Sequence, residues 1–229
     1  MSRTERYEDI IPVDRLREVN IGVIGVGAIG RQVALMLAAM GAENLTIYDP
    51  DVVDEVNLGP QGYPEDAVGQ DKVVAMMFDM ARLNPNLVGS TPVRLSGDQV
   101  KYRPKHPRHE VIFCCVDSIT DRKAIARTCH KKETSLFVDA RMTSETFQVF
   151  TVYDHENGWG AYDDTCFPQE EAYEGSCTAK STIYCASIAA GMMVAQFTQW
   201  LRGMEPAFKV ECSILAGEMY ADDTRCTAG

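Results

Sequence analysis

Long apolar runs are missing from this chain of 229 residues. A membrane-spanning helix needs about 20 consecutive apolar residues, and the longest candidate, 183–197, is too short and is interrupted by small and polar residues. Residues 1–17 are polar and charged, so no secretory signal peptide is predicted. We therefore expect a cytoplasmic protein whose eight cysteines are mostly reduced thiols.

Basic charge and metal-ligand motifs are also scarce. The chain has 22 Lys and Arg against 33 Asp and Glu, which gives a net charge of −11. Nucleic-acid binding needs a basic face, and anionic membranes attract basic surfaces, so neither is an expected partner. There are four His and no Cys-x-x-Cys pair, so no zinc site is expected.

The segment 21–51 carries the clearest signal in the sequence. An apolar run at 21–24 predicts a buried parallel strand, and GVGAIG at 25–30 then opens a helix rich in Ala, Leu and Met. A second apolar run, 45–48, ends at Asp49, whose carboxylate can accept hydrogen bonds from a ribose. Glycines and a helix N-terminus favour phosphate binding. The pattern predicts a nucleotide site but does not choose between NAD and ATP.

The rest of the chain alternates between strand and helix patterns before an antiparallel-looking region. We predict an α/β fold with a Rossmann-like, mostly parallel sheet, helices on both faces and an antiparallel C-terminal extension. The predicted helices are 11–19, 72–83, 120–131 and 181–202; the strands lie within 87–100, 111–116, 135–139, 147–153 and 207–220; and the loops are 52–71, 101–109 and 154–180. Cys114 and Cys115 are expected in the core.

Six motifs follow in an order that resembles the ThiF/MoeB/HesA superfamily, the bacterial relatives of ubiquitin-activating enzymes. They are GVGAIG at 25–30, DPD at 49–51, NLGPQ at 57–61, GQDK at 69–72, NP at 84–85 and CVDS at 115–118. The resemblance covers about 19–201. It implies one adenylation domain over 1–229, with a nucleotide-binding half at 18–150 and a crossover loop, long helix and strands at 151–229. The implied reaction is ATP-dependent adenylation of the C-terminal carboxylate of a small ubiquitin-like or sulfur-carrier protein, with release of pyrophosphate.

The resemblance also implies a set of site residues. ATP would be held by Gly25, Gly27, Ala28, Gly30, Asp49, Asp51, Asn57, Gln61, Lys72 and Ser118. Catalytic roles would fall to Lys72, to Asp117 as the Mg²⁺ ligand, and to Cys177, which could accept the acyl group as a thioester. The implied partners are a β-grasp carrier protein and, in a homodimer, a second copy of the chain.

Two departures from the family pattern stand out. The family's loop arginine, a phosphate clamp, is Pro60 here, and Arg31, Arg141 or an arginine of the N-terminal arm could supply the missing charge. The two Cys pairs that bind zinc in many relatives are reduced to the single residues Cys166 and Cys212.

Other interpretations remain open on the sequence alone. An NAD-dependent oxidoreductase explains 20–51 but gives Asn57, Lys72 and Asp117 no task. A small molecule, a peptide terminus or a tRNA base could be the group adenylated, although the acidic charge disfavours tRNA. A catalytically silent scaffold is favoured by Pro60. Asp117 could instead cap the helix that follows it, and Cys177 could be a thiol without a role.

Overall fold

A computed structural model describes residues 4–87, 95–153, 158–166 and 181–222. Within them the strands are β1 Ile21–Ile24, β2 Leu45–Tyr48, β3 Leu95–Asp98, β4 Val111–Cys114, β5 Leu136–Thr143, β6 Thr146–Val152, β7 Lys209–Ser213 and β8 Glu218–Asp222. The α-helices are α1 Val13–Glu18, α2 Ala28–Met40, α3 Glu55–Gln61, α4 Lys72–Leu83, α5 Ile119–Lys131, α6 Gly158–Asp164 and α7 Ile183–Leu201.

One sheet runs through the described residues in the order β3-β2-β1-β4-β5-β6-β7-β8. The pairs from β3 to β5 are parallel, and those from β5 to β8 are antiparallel. This confirms the predicted α/β sheet with its antiparallel extension. From β1 the chain adds β2 and then β3 on one side, and it later returns to add β4 and β5 on the other side. The strand order therefore reverses between β1 and β4. In such sheets ligands bind at the carboxyl ends of the strands at this switch point.

Alternate residues of the central strands bury their side chains on opposite faces of the sheet. Val23 and Phe113 belong to a core that includes residues of α2, α4 and α7, whereas Ile24 and Cys114 belong to a core with residues of α5 and α6. Because both faces are covered, β1 and β4 are buried at every position, which is why their sequences are continuously apolar. The expected burial of Cys114 is confirmed.

Two predicted loops contain helices. The prediction of an irregular 52–71 is wrong, because α3 forms there and a 3₁₀ turn follows at Glu65–Ala67. Asp54 starts α3 through a capping box with Asn57, and this local pairing outweighs the helix-breaking effect of Gly59 and Pro60. In 154–180, α6 is also helical despite its two glycines.

The predicted surface loop 101–109 is irregular, but it is not wholly on the surface. Tyr102, His106 and His109 are buried, and their rings pack around Tyr48. The segment, which connects β3 to β4 in the chain, thus covers one face of the sheet at β2. No helix in the described parts of the chain is both long and apolar enough to cross a bilayer.

Candidate functional site

The predicted site residues follow the carboxyl ends of three adjacent parallel strands. The glycine loop follows β1, Asp49 follows β2 and Asp117 lies shortly after β4. Since β2, β1 and β4 are neighbours in the sheet, these segments lie along one edge. Motifs that are far apart in the sequence are therefore close together at the switch point of the fold.

The glycine loop is crowded at two of its glycines and open at the third. Gly25 has a φ of +83°, and a Cβ there would lie 2.8 Å from the Cys115 carbonyl oxygen. A Cβ on Gly30 would lie 1.8 Å from the Gly25 carbonyl oxygen. No side chain caps the N-terminus of α2 at Gly27, so the first N–H groups of the helix, from Ala28 onward, offer partners to an anion.

Asp49 is the most firmly held of the predicted ligands. It is buried, and its carboxylate accepts the N–H of Val26 at 2.7 Å and the N–H of Asp51 at 2.9 Å. Burial raises the pKa of Asp49 above its ordinary value, while these two N–H groups and the charge of Lys72 oppose the rise. The backbone contact from Val26 fixes the acid against the glycine loop, and lone pairs remain for further donors.

Lys72 and Asp51 form an ion pair at the start of α4. The Lys72 ammonium lies 3.0 Å from the Asp51 carboxylate, with side chains that are 7% and 62% exposed. An antiparallel bridge between Val52 and Asp71 holds the two segments together. The ammonium has three donors, so it can hold Asp51 and still bind a phosphate oxygen.

Two predicted ligands, Asn57 and Gln61, lie on α3. The Asn57 side-chain oxygen accepts the N–H of Asp54 at 3.0 Å, which leaves its amide N–H groups available as donors. Gln61 lies over the glycine loop, with its Nε2 3.9 Å from where a Cβ of Gly27 would be. The Gln61 Oε1 is buried and has no hydrogen-bond partner among the residues that the structure describes. A buried polar atom of this kind fits a site that a polar ligand completes.

Asp117 and Ser118 are neighbours with different environments. The Ser118 hydroxyl accepts the N–H of Asp121 at 3.2 Å and is the N-cap of α5. The interpretation of Asp117 as that cap is therefore wrong. Asp117 is exposed, which leaves its carboxylate accessible to a cation at the edge of the sheet.

The arginines considered in place of Pro60 are mostly engaged within the chain. Arg141 donates to Asp139 at 3.0 Å and to the Thr165 carbonyl at 2.7 Å. Arg15 donates to the Leu201 carbonyl, and Arg17 lies 3.5 Å from Glu43. Arg31 is buried and paired with Asp79. Arg6 is exposed, and Arg3 lies outside the described residues.

Sequence reasoning missed four buried side chains close to the site. Tyr63 donates its hydroxyl to the Val26 carbonyl in the glycine loop at 2.7 Å. Behind β4, the buried Asp139 accepts from Arg122 and also, at 3.0 Å, from the Tyr162 hydroxyl. None of these three contacts has a local sequence signal that names both partners, because the partners are far apart in the chain. A lone Asp in an apolar strand, such as Asp139, was the one available indication of a buried ion pair.

The structure describes only some of the cysteines for which we predicted a role. Cys177 falls outside the described residues, so its role stays a prediction. Cys166 and Cys212 are both buried. Among the described residues there is no group of three or more His, Cys, Asp or Glu able to hold a metal ion.

Known proteins share both the sequence pattern and the fold. The molybdopterin-synthase adenylyltransferase of Escherichia coli K12 is 30% identical over 145 residues, which cover 62% of this chain and 58% of that protein. Ubiquitin-like modifier-activating enzyme 5 of Arabidopsis thaliana is 26% identical over 133 residues, 52% of this chain and 31% of that protein. The chain thus spans little more than half the length of the first of these relatives.

Solved structures extend the comparison to nearly the whole chain. Escherichia coli MccB with MccA-N7isoASN superposes with a TM-score of 0.77 at 14% identity, over 97% of this chain and 72% of that one. The same enzyme with ATP gives 0.75 at 14%, over 99% and 74%. These likenesses establish the fold. The sequence profile described as the ThiF family matches residues 7–220, and because this is most of the chain, the protein belongs to the ThiF family.

Proposed function

We propose that this protein is an ATP-dependent adenylyltransferase that activates the C-terminal carboxylate of a small β-grasp carrier protein and releases pyrophosphate. The observation that carries the proposal is the edge formed by β2, β1 and β4 in a ThiF-family chain. There the buried Asp49 is bonded to the glycine loop, Lys72 is held by Asp51, and Asp117 remains exposed. One sequence relative is named molybdopterin-synthase adenylyltransferase, and one structural neighbour, MccB, was solved with ATP.

The proposed roles follow from the chemistry of each group. Asp49 would accept the ribose hydroxyls, and the open glycine loop with the first turn of α2 would contact the phosphates. Lys72 would neutralise charge on the phosphates, assisted by the amides of Asn57 and Gln61. Since a carboxylate is a weak nucleophile toward phosphorus, catalysis would depend on positioning and charge neutralisation.

Mg²⁺ is the proposed metal, with Asp117 as its protein ligand. Magnesium is commonly bound through one or two carboxylates together with substrate phosphate oxygens, and Asp117 offers an exposed carboxylate beside the loop that would hold them. When bound, the ion would neutralise phosphate charge. Asp117 itself would orient the ion, and Ser118 would hold the turn between β4 and α5 in place through its cap.

The proposed partners are the carrier protein and a second copy of the chain. Tyr7 bonds to the Met40 carbonyl at the C-terminal end of α2, and α2 is about 20 Å long at 1.5 Å per residue. The described part of the N-terminal arm therefore lies far from its own glycine loop. Arg6 on this arm is exposed and could complete the site of a partner subunit, where Pro60 leaves a guanidinium missing.

We propose that residues 1–229 form a single adenylation domain, which the ThiF family match over 7–220 supports. Cys177 is proposed as the thiol that could accept the activated acyl group. The nucleophile needs a lowered thiol pKa, and Lys180 in the same segment is a cation that could provide it.

ATP–pyrophosphate exchange tests the reaction directly. The purified chain would be incubated with Mg·ATP, labelled pyrophosphate and each of a set of β-grasp proteins. We expect exchange with at least one of them, and none when that protein carries a C-terminal carboxamide, because the free carboxylate is the nucleophile. Exchange that is indifferent to the carboxamide would contradict the proposed substrate.

A further inference from the structure

Arg31 is a buried cation in the first turn of α2, directly after Gly30. Its side chain is 8% exposed, and Nη2 lies 2.9 Å from the Asp79 carboxylate. The guanidinium also donates twice to the Gly62 carbonyl, from Nη2 at 2.9 Å and from Nε at 3.2 Å. A buried charge is costly unless it is paired and hydrogen-bonded, and Arg31 is both.

The contacts of Arg31 join three elements that carry proposed ATP ligands. Arg31 belongs to α2, whose N-terminus is the glycine loop. Gly62 ends α3 directly after Gln61. Asp79 lies on α4, about two turns after Lys72, and Nη1 of Arg31 also meets the Met76 sulfur on that helix at 2.9 Å. One guanidinium therefore links the glycine loop, Gln61 and the helix that begins at Lys72.

Tyr63 provides a second link between the same elements. The Arg31 guanidinium carbon lies 4.6 Å from the centre of the Tyr63 ring. The Tyr63 hydroxyl donates to the Val26 carbonyl at 2.7 Å, and the Val26 N–H donates to Asp49 at 2.7 Å. Arg31 and Tyr63 thus connect the residues proposed to bind the phosphates with Asp49, the residue proposed to bind the ribose.

We propose that Arg31 is a positioning residue, supported by Tyr63, that sets the distance of Lys72 and Gln61 from the glycine loop. This inference rests on the proposed function. Arg31 does not take the place of the clamp missing at Pro60, because each of its three guanidinium nitrogens already makes a contact within the chain. The planar guanidinium of Arg31 can bind several partners at once, whereas a lysine is a point charge. Small displacements of the groups that hold a substrate lower the efficiency of an enzyme.

Calorimetric titration with Mg·ATP tests this role in a small set of variants. We expect Arg31→Gln to bind ATP about tenfold more weakly than the wild type, and Arg31→Lys to show a loss in the same direction. Tyr63→Phe keeps the ring but loses the bond to Val26, and should weaken binding less than Arg31→Gln.

Lys132→Gln is the matched control. Lys132 also lies over a tyrosine ring, at 5.6 Å from Tyr102, and donates to a loop carbonyl, that of His106. It follows the last residue of α5, about 20 Å along the helix from the carboxyl edge. We expect this variant to bind ATP as the wild type does. An equal loss in Lys132→Gln would mean that general destabilisation, not position, lowers affinity, and would overturn the proposal.

A double-mutant cycle separates positioning from structural damage. If Arg31 acts partly by placing Lys72, the loss of ATP affinity in Arg31→Gln/Lys72→Met should be smaller than the product of the two single losses. Losses that multiply, or an Arg31→Gln chain that binds like the wild type, would overturn the proposal. If Arg31→Gln does not fold, the same cycle is run with Tyr63→Phe. A wild-type chain that binds no ATP would contradict the proposed function, and this inference with it.

Discussion

Asp117 and Ser118 are adjacent residues to which we assign different roles, Asp117 in the proposed chemistry and Ser118 in stability. Ser118 caps α5 through a side-chain bond to the backbone, which is a contribution to folding. Asp117 is exposed and lies at the edge proposed for Mg²⁺ and phosphate. A substitution at each position should therefore affect a different measurement.

Asp117→Ala should abolish Mg²⁺-dependent adenylation and leave the free energy of unfolding nearly unchanged, because its carboxylate is exposed. Ser118→Ala should lower the free energy of unfolding by about 1 kcal/mol, the usual cost of losing an N-cap. Pyrophosphate exchange and urea unfolding on both variants check this. Full exchange activity in Asp117→Ala would contradict the metal role.

His109 is a neutral side chain held at a polar junction inside the protein. Its Nδ1 faces the Asn20 side-chain oxygen at 2.7 Å, and its Nε2 faces the Tyr48 hydroxyl at 2.8 Å. Since Asn20 offers an acceptor, Nδ1 carries the proton and Nε2 accepts from Tyr48. Burial lowers the pKa of His109 from 6.5 to about 4, with smaller contributions from Lys132 and His106.

This lowered pKa predicts a loss of stability in mild acid. Below pH 6.5 the unfolded chain binds a proton at His109 that the folded chain refuses until about pH 4. The contribution to the free energy of unfolding should fall by about 2 kcal/mol between pH 7 and pH 5. Urea unfolding of the wild type and of His109→Gln at both pH values tests it. Equal pH dependence in the two proteins would contradict the assignment.

At the scale of elements, the turn from β1 into α2 depends on glycine for two separate reasons. Gly25 needs a positive φ, and Gly30 must let its helix approach the Gly25 carbonyl. Gly59, in α3, has neither constraint, since nothing lies within 4 Å of where its Cβ would be. These two kinds of glycine can be told apart by adding one methyl group.

Gly30→Ala should lose ATP binding and about 1–3 kcal/mol of stability, because its Cβ would overlap a carbonyl oxygen and the loop must move. Gly59→Ala should keep ATP binding and gain up to about 1 kcal/mol, the helix preference of Ala over Gly. Calorimetry and thermal unfolding of both variants provide the comparison. Normal ATP affinity in Gly30→Ala would count against the glycine loop as the nucleotide site.

The sequence predicts those elements whose signal is local. Apolar runs located β1, β2 and β4, and apolar spacing together with Asn84-Pro85 gave the bounds of α4. By contrast, α3 was missed because Gly59, Pro60 and Gly62 suggest a break, although the spacing of Asp54 and Asn57 was an available capping signal. The burial of His109 and the partners of Arg31 depend on contacts between distant segments, so no local pattern could reveal them.

At the scale of the whole molecule, the described parts of the N-terminal arm and the glycine loop lie at opposite ends of α2. Within one chain, Arg6 cannot approach the site. A twofold dimer makes the same contact in both directions, so it could bring the arm of each subunit to the site of the other. Residues far apart in one subunit would then act together.

The proposed dimer predicts complementation between two inactive variants. Arg6→Ala and Lys72→Met should each lose pyrophosphate exchange, and a mixture refolded together should regain part of it, because mixed dimers contain one site with both side chains. Light scattering should give twice the chain mass of 25.4 kDa. A monomeric protein, or an Arg6→Ala variant with full activity, would contradict this arrangement.

The central claim is that the edge of the sheet around β1 binds ATP for adenylation. Calorimetric titration of the purified protein with Mg·ATP and, separately, with NAD tests it most directly. We predict magnesium-dependent binding of ATP and no binding of NAD. Binding of NAD without ATP would contradict the account and favour an oxidoreductase, and binding of neither would favour a scaffold that has lost its catalytic function.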